Sequence, residues 1–306
     1  MLALAAAASL AAAFCSPPAL RAVQPRRSRD ARLSATTTAD LATLLSAHSL
    51  EIAALRSRAS GKPIDEVALL RVAMEHPGDA PGALAALEKV LAWREGEGSA
   101  ITAAAAAAVD EARRGGAWDN SPVFAAAPHA AAIGKYITPR NCLTLPLDSG
   151  DLCYIIRAGA IDDGALMAEV SEAQVVDFFL YAKEVNRVVA DARSAATGRL
   201  VRVVTANDLS GVDLFGDATF RKALSASSKK ADEIFPSLNG PTLLLNLPFL
   251  ANALVKLFTP LFPPKVRAKL KFEKGPLAGV DDLTQLHNPQ SSARSQFLAE
   301  IQAILA

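Results

Sequence analysis

The stretch Gly240–Phe262, GPTLLLNLPFLANALVKLFTPLF, decides how the rest of the chain is read. Thr242 to Leu247 is a continuous apolar run of strand length, and Pro248 breaks it. From Phe249 the residues are apolar on nearly every side until Thr259-Pro260, which reads as a short helix. About 20 mainly apolar residues can span a bilayer, so a membrane-crossing helix has to be weighed. Pro241, Pro248, Pro260, Asn246, Asn252 and Lys256 count against it, because a spanning helix tolerates such breaks only where neighbours satisfy the freed backbone groups. The expectation is a buried strand running into a helix that is apolar all round. Such a helix needs an apolar neighbour on each side, and a place in an ordinary core is the plain alternative.

Outward from this stretch, strands alternate with helices. Leu152–Arg157 (LCYIIR) and Leu200–Thr205 (LVRVVT) have strand composition. Between them Ser171-x-x-Gln174 is a capping box that opens a long helix closed by Gly198. Asp217 to Ile234 forms a second amphipathic pattern, ended by Phe235-Pro236. After the central stretch, Lys265 to Phe272 alternates Lys265, Arg267, Lys269 and Lys271 against Val266, Ala268, Leu270 and Phe272, the pattern of a strand with one basic face. That face suits a solvated edge strand, which lysines protect, and equally an attraction to anionic lipid. Ser292 to Leu305 reads as a terminal helix. Strands separated by helices imply right-handed crossovers, so the fold class is α/β with a small, largely parallel sheet.

Upstream the pattern is helical only. Thr38–Ser57, Asp65–Met74, Ala80–Trp93 and Thr102–Arg114 carry helical periodicity, with a turn at His76-Pro77-Gly78 and a boundary at Gly115–Asn120. The expected domains are an N-terminal helical region, 38–116, and an α/β domain, 117–306. Residues 1–37 read as an address. Leu2–Ala13 is a short apolar run ending in small residues, followed by Phe14 and an Arg- and Ser-rich, acid-poor stretch containing Arg21, Arg26, Arg27, Arg29 and Arg32. A signal-like run before a transit-like one resembles the bipartite presequence of complex plastids. A secretory or cytoplasmic location is the alternative.

Composition narrows the function classes. Of 306 residues, 51% are hydrophobic and 21% charged, enough for a sizeable core and too polar for a polytopic membrane protein. The formal net charge of +1 gives no global attraction to nucleic acid. The three cysteines form no CxxC pair, and the four histidines form no HExxH, so no metal is expected. No nucleophile elbow or phosphate loop occurs; Gly96-x-Gly98 follows a helix where a dinucleotide fingerprint needs a strand.

Several groups of residues together resemble the CRAL-TRIO lipid-binding family. Leu69-Leu70-Arg71, Asp79, Ala83-Leu84, Leu87, Leu91 and Trp93-Arg94 are similar to the helical signature that precedes its domain. Asp148-Ser149-Gly150 with Tyr154, then Glu184, Arg187 and Gly198, then Val203-Val204-Thr205-x-x-Asp208-Leu209-x-Gly211, follow the domain's order. Phe235-Pro236 through Leu247-x-Phe249, and Phe249–Phe262, resemble its third strand and mobile gating helix. The resemblance covers roughly Ile64 to Gly279. It implies a sheet that floors a cavity for one lipid or similar hydrophobic small molecule, closed by the helix. Floor and lid residues would be Val203, Thr205, Leu245, Leu247, Phe249, Leu250, Leu254, Leu257 and Phe258, although Thr205 reads equally as an ordinary strand hydroxyl. Lys269 falls where phosphatidylinositol-binding members have a lysine, whereas Ser237 stands where they have a glutamate, which leaves the headgroup open. Lys265 and Arg267 would join Lys269 at headgroup or membrane. The resemblance thus implies a monomeric carrier without catalysis or cofactor that meets a membrane surface transiently. A ligand-responsive interaction module without bulk transfer is the alternative.

Overall fold

The computed structural model describes residues 40–116, 118–213, 216–247 and 270–306. The run Phe249–Phe262 and the basic residues Lys265, Arg267 and Lys269 therefore lie outside the described residues.

The chain opens with helices α1 (Leu41–Ala47), α2 (Ser49–Arg58), α3 (Glu66–Glu75), α4 (Ala80–Glu95) and α5 (Ser99–Arg113). Asp40, Asp65 and Asp79 start α1, α3 and α4 by accepting a backbone N–H two or three residues into the helix. The periodicity placed these helices well; His48 splits the first into two, and α5 begins three residues earlier than Thr102. Their core, with Leu55, Leu70, Ala83 and Leu87 fully buried, takes in Leu200 from the second half of the chain.

Two short helices, α6 (Ser121–Ala125) and α7 (Ala130–Ile133), lead into a five-stranded sheet of order β1-β2-β3-β4-β5. The strands are β1 (Cys142–Pro146), β2 (Leu152–Arg157), β3 (Val203–Asp208), β4 (Asn239–Leu245) and β5 (Leu270–Glu273). β1 is antiparallel to β2 and all other pairs are parallel, so the sheet is mixed and largely parallel, as expected. Helices α8 (Asp163–Glu169) and α9 (Glu172–Thr197) connect β2 to β3, α10 (Ala218–Ile234) connects β3 to β4, and α11 (Ser292–Leu305) closes the chain. The capping box of Ser171 and Gln174 is formed, and Gly198 ends α9 at φ 67°, a left-handed conformation that favours glycine.

Three boundaries differ from the sequence reading. β3 starts at Val203 rather than Leu200 and continues past Thr205 through Asn207-Asp208; both are 0% exposed and pair with Ile156 and Arg157 across β2. β4 runs from Asn239 to Leu245 instead of Thr242 to Leu247, and ends because Asn246 adopts φ 53°. It includes Gly240-Pro241, where the register against β3 slips between Val203 and Thr205, since proline has no N–H for the ladder. β1 carries no sequence signal that we recognised, being short and ending in Pro146.

The sheet's two faces are covered differently. Leu143, Leu145, Cys153, Ile155, Val204, Ala206, Leu243 and Leu245 form one core with Phe297 and Ile301 of α11, continuous from β1 to β4. On the opposite face, α9 and α10 pack over Leu152, Tyr154, Ile156 and Val203. Phe179 of α9 and Phe220 of α10 meet there at a ring distance of 6.4 Å.

Candidate functional site

The face under α9 and α10 is built in rows by strand register. Thr144, Tyr154, Thr205, Thr242 and Leu270 lie opposite one another across β1 to β5. The next row is Cys142, Ile156, Asn207, Leu244 and Phe272. Every side chain in both rows is uncharged. Tyr154 and Cys142 are buried, and the Cys142 thiol donates to the Tyr154 oxygen at 3.0 Å. Burial pushes the Cys142 thiol up to about 12, against a smaller downward pull from Tyr154. Burial also raises Tyr154 well above the ordinary phenol range, helped by Cys142. Both groups stay protonated, so this surface offers neutral hydroxyls and hydrocarbon and no nucleophile.

Among the described residues the apolar side chains on this face fall into two clusters. Ile156 and Val203 belong to the large cluster under α9 and α10, while Leu244 and Leu270 form a separate small cluster with Leu209, Leu247 and Phe272. Between the two, in the centre of the sheet, stand Thr205, Asn207 and Thr242, of which the two threonines are half-buried. On the other face the described apolar residues form a single cluster.

Of the residues singled out in the sequence, Val203 and Thr205 share this face, Val203 fully buried and Thr205 half-buried. Leu247 joins them at the margin of the small cluster. Leu245 does not: it points to the α11 face with Leu243, and strand alternation gives its place to Leu244. Phe249, Leu250, Leu254, Leu257, Phe258, Lys265, Arg267 and Lys269 lie outside the described residues. Lys271, the last residue of the basic alternation, donates its Nζ to the Ile304 carbonyl near the end of α11, so it caps a helix there.

Ser237 sits elsewhere, at the seam between α3 and the approach to β4. Its φ is 49°, its N–H and hydroxyl both donate to Glu75 Oε1, and its carbonyl accepts from Arg71 Nη1 at 2.8 Å. Arg71 is 2% exposed and also bonds Asp191 Oδ1 (2.8 Å) and the Val201 carbonyl (2.6 Å). Arg187 bridges Asp191 and Glu184, and Arg94 reaches Glu184 at 3.0 Å. Trp93 meets Phe235 edge-on at 5.7 Å. The cleft along this seam, lined by Ile64, Asp65, Arg71, Arg94, Arg187 and Phe235, holds about 60 Å³. That is a fraction of the roughly 300–1,000 Å³ of a small-molecule pocket. Its arginines are matched by carboxylates, so it joins the helical region to the sheet and is too small to house a lipid.

At the far end of β3, Asp208 accepts from Arg157 Nε (3.0 Å), from Ser210 and from Asn246 Nδ2 (3.0 Å). Asn246 in turn bonds Gly275 N and the Pro276 carbonyl, and its own N–H donates to Glu273. One side chain thus ties the end of β4 to the chain just beyond β5. Asn207, beside Asp208, is a candidate that sequence reasoning missed; its signal is a carboxamide two positions beyond Thr205, on the same strand face.

Among the described residues no helix is long and apolar enough to cross a membrane. No curated protein matches the chain. Residues 148–290, from the turn before β2 to the start of α11, match the family model of the CRAL/TRIO domain, a domain that binds and transfers lipophilic molecules in general. The order of helices before a small mixed sheet agrees with that domain's architecture. The match supports assigning residues 148–290 to the CRAL-TRIO lipid-binding family.

Proposed function

We propose that the chain carries one lipid or similar hydrophobic small molecule between the sheet and segment 248–269, and transfers or presents it between membranes. The observation that carries this reading is the uncharged α9/α10 face, where half-buried Thr205 and Thr242 stand between two apolar clusters, one of which holds Leu247 and Leu270, the residues that flank segment 248–269 in sequence. Withdrawing a lipid from a bilayer exposes acyl chain at about 0.8 kcal/mol per CH₂. A carrier therefore has to offer matching apolar lining and a cover that moves. Val203, Thr205 and Leu247 would line the floor, and Phe249, Leu250, Leu254, Leu257 and Phe258 would form a gating helix, apolar on one side for ligand and on the other for bilayer. Lys265, Arg267 and Lys269 would hold the protein at an anionic surface, at about 1 kcal/mol per residue. The uncharged floor supports binding without catalysis. Residues 1–37 would direct the chain to a plastid, leaving 38–116 as a helical region and 117–306 as the carrier domain of a monomer.

The test is lipid transfer between donor and acceptor liposomes, with native mass spectrometry of the purified chain for a co-purified lipid. Leu254→Asp with Leu257→Asp should reduce transfer at least tenfold while leaving the melting temperature of the fold nearly unchanged, because a charge buried against bilayer costs about 2.5–3.5 kcal/mol. A chain that never carries a lipid and moves none between liposomes would refute the reading.

A further inference from the structure

The fully buried polar side chains of the described residues have protein partners, with one exception. Arg71, Glu184, Asp191 and Asp208 are in ion pairs. Asn141, Asp151, Ser194 and Ser227 bond the backbone, and Asn186 accepts from Thr144. Asn207 is 0% exposed, and neither its Oδ1 nor its Nδ2 has a hydrogen-bond partner. Its cross-strand neighbours are Ile156 and Leu244, so nothing beside it in the row can pair with a carboxamide. A leucine there would bury cleanly, whereas an unpaired amide carries the whole cost of its lost hydration. Native proteins seldom leave such a group unmatched.

Its position gives the unmatched group a use. Asn207 is in the central strand, between Ile156 of one apolar cluster and Leu244 of the other. Thr205 and Thr242, directly opposite each other, stand one row away on the same face, roughly 6.6 Å along the strand at 3.3 Å per residue. The face has no cation in either row, so it does not suit a phosphate, which calls for charged donors. A carboxamide donates and accepts, which matches a neutral oxygen group.

We propose that Asn207 is a specificity-determining residue which pairs with an oxygen function on the buried body of the ligand, a hydroxyl or a carbonyl, so that the cavity selects oxygenated lipids over plain hydrocarbon chains. The proposal rests on the lipid-carrying reading above and narrows its ligand class. The headgroup is recognised elsewhere, and Asn207 reads what lies within the hydrophobic part.

The experiment uses the full chain, stearic acid, and the set of its positional monohydroxy isomers, each competing against a bound fluorescent fatty acid. At least one hydroxy isomer should bind about tenfold more tightly than stearic acid, the value of one well-made buried hydrogen bond. Asn207→Leu should abolish that preference, bind stearic acid as well as or better than before, and melt no lower than the parent without ligand. Asn207→Gln, which keeps the amide, should retain a preference, if for a different isomer. Equal binding of every isomer and stearic acid by the parent overturns the proposal and leaves lipid carriage standing. A preference that survives in Asn207→Leu, or a lower melting temperature of that variant, also overturns it, the latter because the carboxamide would then be serving the fold. Failure of all probes to bind the parent overturns both readings together.

Discussion

Cys142 and Cys153 lie on opposite faces of the same sheet, one beside the candidate floor and the other in the core under α11. Burial pushes both thiols up to about 12. At pH 8 each is therefore protonated as well as shielded, and the thiolate is the reactive form. Iodoacetamide at pH 8 should leave both unmodified in the folded chain and alkylate both in denaturant, as read by peptide mass spectrometry. Alkylation of Cys142 alone under native conditions would show that the α9/α10 face opens while the other stays shut. At this scale the sequence was partly legible. Val203 and Thr205 were singled out by the family resemblance and fall on one strand face, whereas Asn207 was not, because a polar pair after an apolar run has the composition of a turn. What decides that Asn207 and Asp208 are strand is pairing on both sides, with Ile156 and Arg157 and with Leu244 and Leu245, which are distant in sequence.

Between elements, the strongest single tie is Arg71, which reaches from α3 to Asp191 on α9, to Val201 before β3 and to Ser237 before β4. Removing one partner of a buried pair leaves the other uncompensated, at about 3–5 kcal/mol. Arg71→Met should therefore lower urea stability by about that amount, and adding Asp191→Leu should restore much of it, since paired replacement by apolar groups is often nearly neutral. A single variant with unchanged stability would mean that Arg187, which also bonds Asp191, suffices. Helices were the easiest elements to find in the sequence, because each is signalled locally by cap and periodicity, as with Asp79 and Ser171. Strand limits were harder. β4 was displaced by two to three residues because Pro241 reads as a break, yet here it falls at the register slip. β1 was missed because its evidence is the antiparallel partner β2.

For the whole molecule, the two faces of the sheet are covered differently. Phe297 of α11 is 1% exposed in the continuous core. Phe297→Ala should cost about 3–5 kcal/mol while transfer per folded molecule stays within twofold, a dissociation read by chemical denaturation alongside the liposome assay. Loss of transfer in proportion to nothing but the folded fraction would also fit; loss beyond it would show that the α11 face contributes to the cavity. The alternation of helices and strands made the α/β class and the largely parallel sheet legible, since period and order suffice for both, while its mixed character, carried by antiparallel β1, came only from the family resemblance. The inequality of the two faces was not legible, because it depends on which of two apolar neighbours, Leu244 or Leu245, faces α10.

Asn246 has a mechanical part at one end of this sheet. It receives the end of β4 and holds Gly275 and Pro276 beyond β5, with Asp208 bracing it from β3. One carboxamide thus fastens the carboxyl ends of three neighbouring parallel strands, β3, β4 and β5, like a rivet through three plates. Cutting Asn246 back to alanine would therefore loosen all three strand ends together and leave their opposite ends untouched.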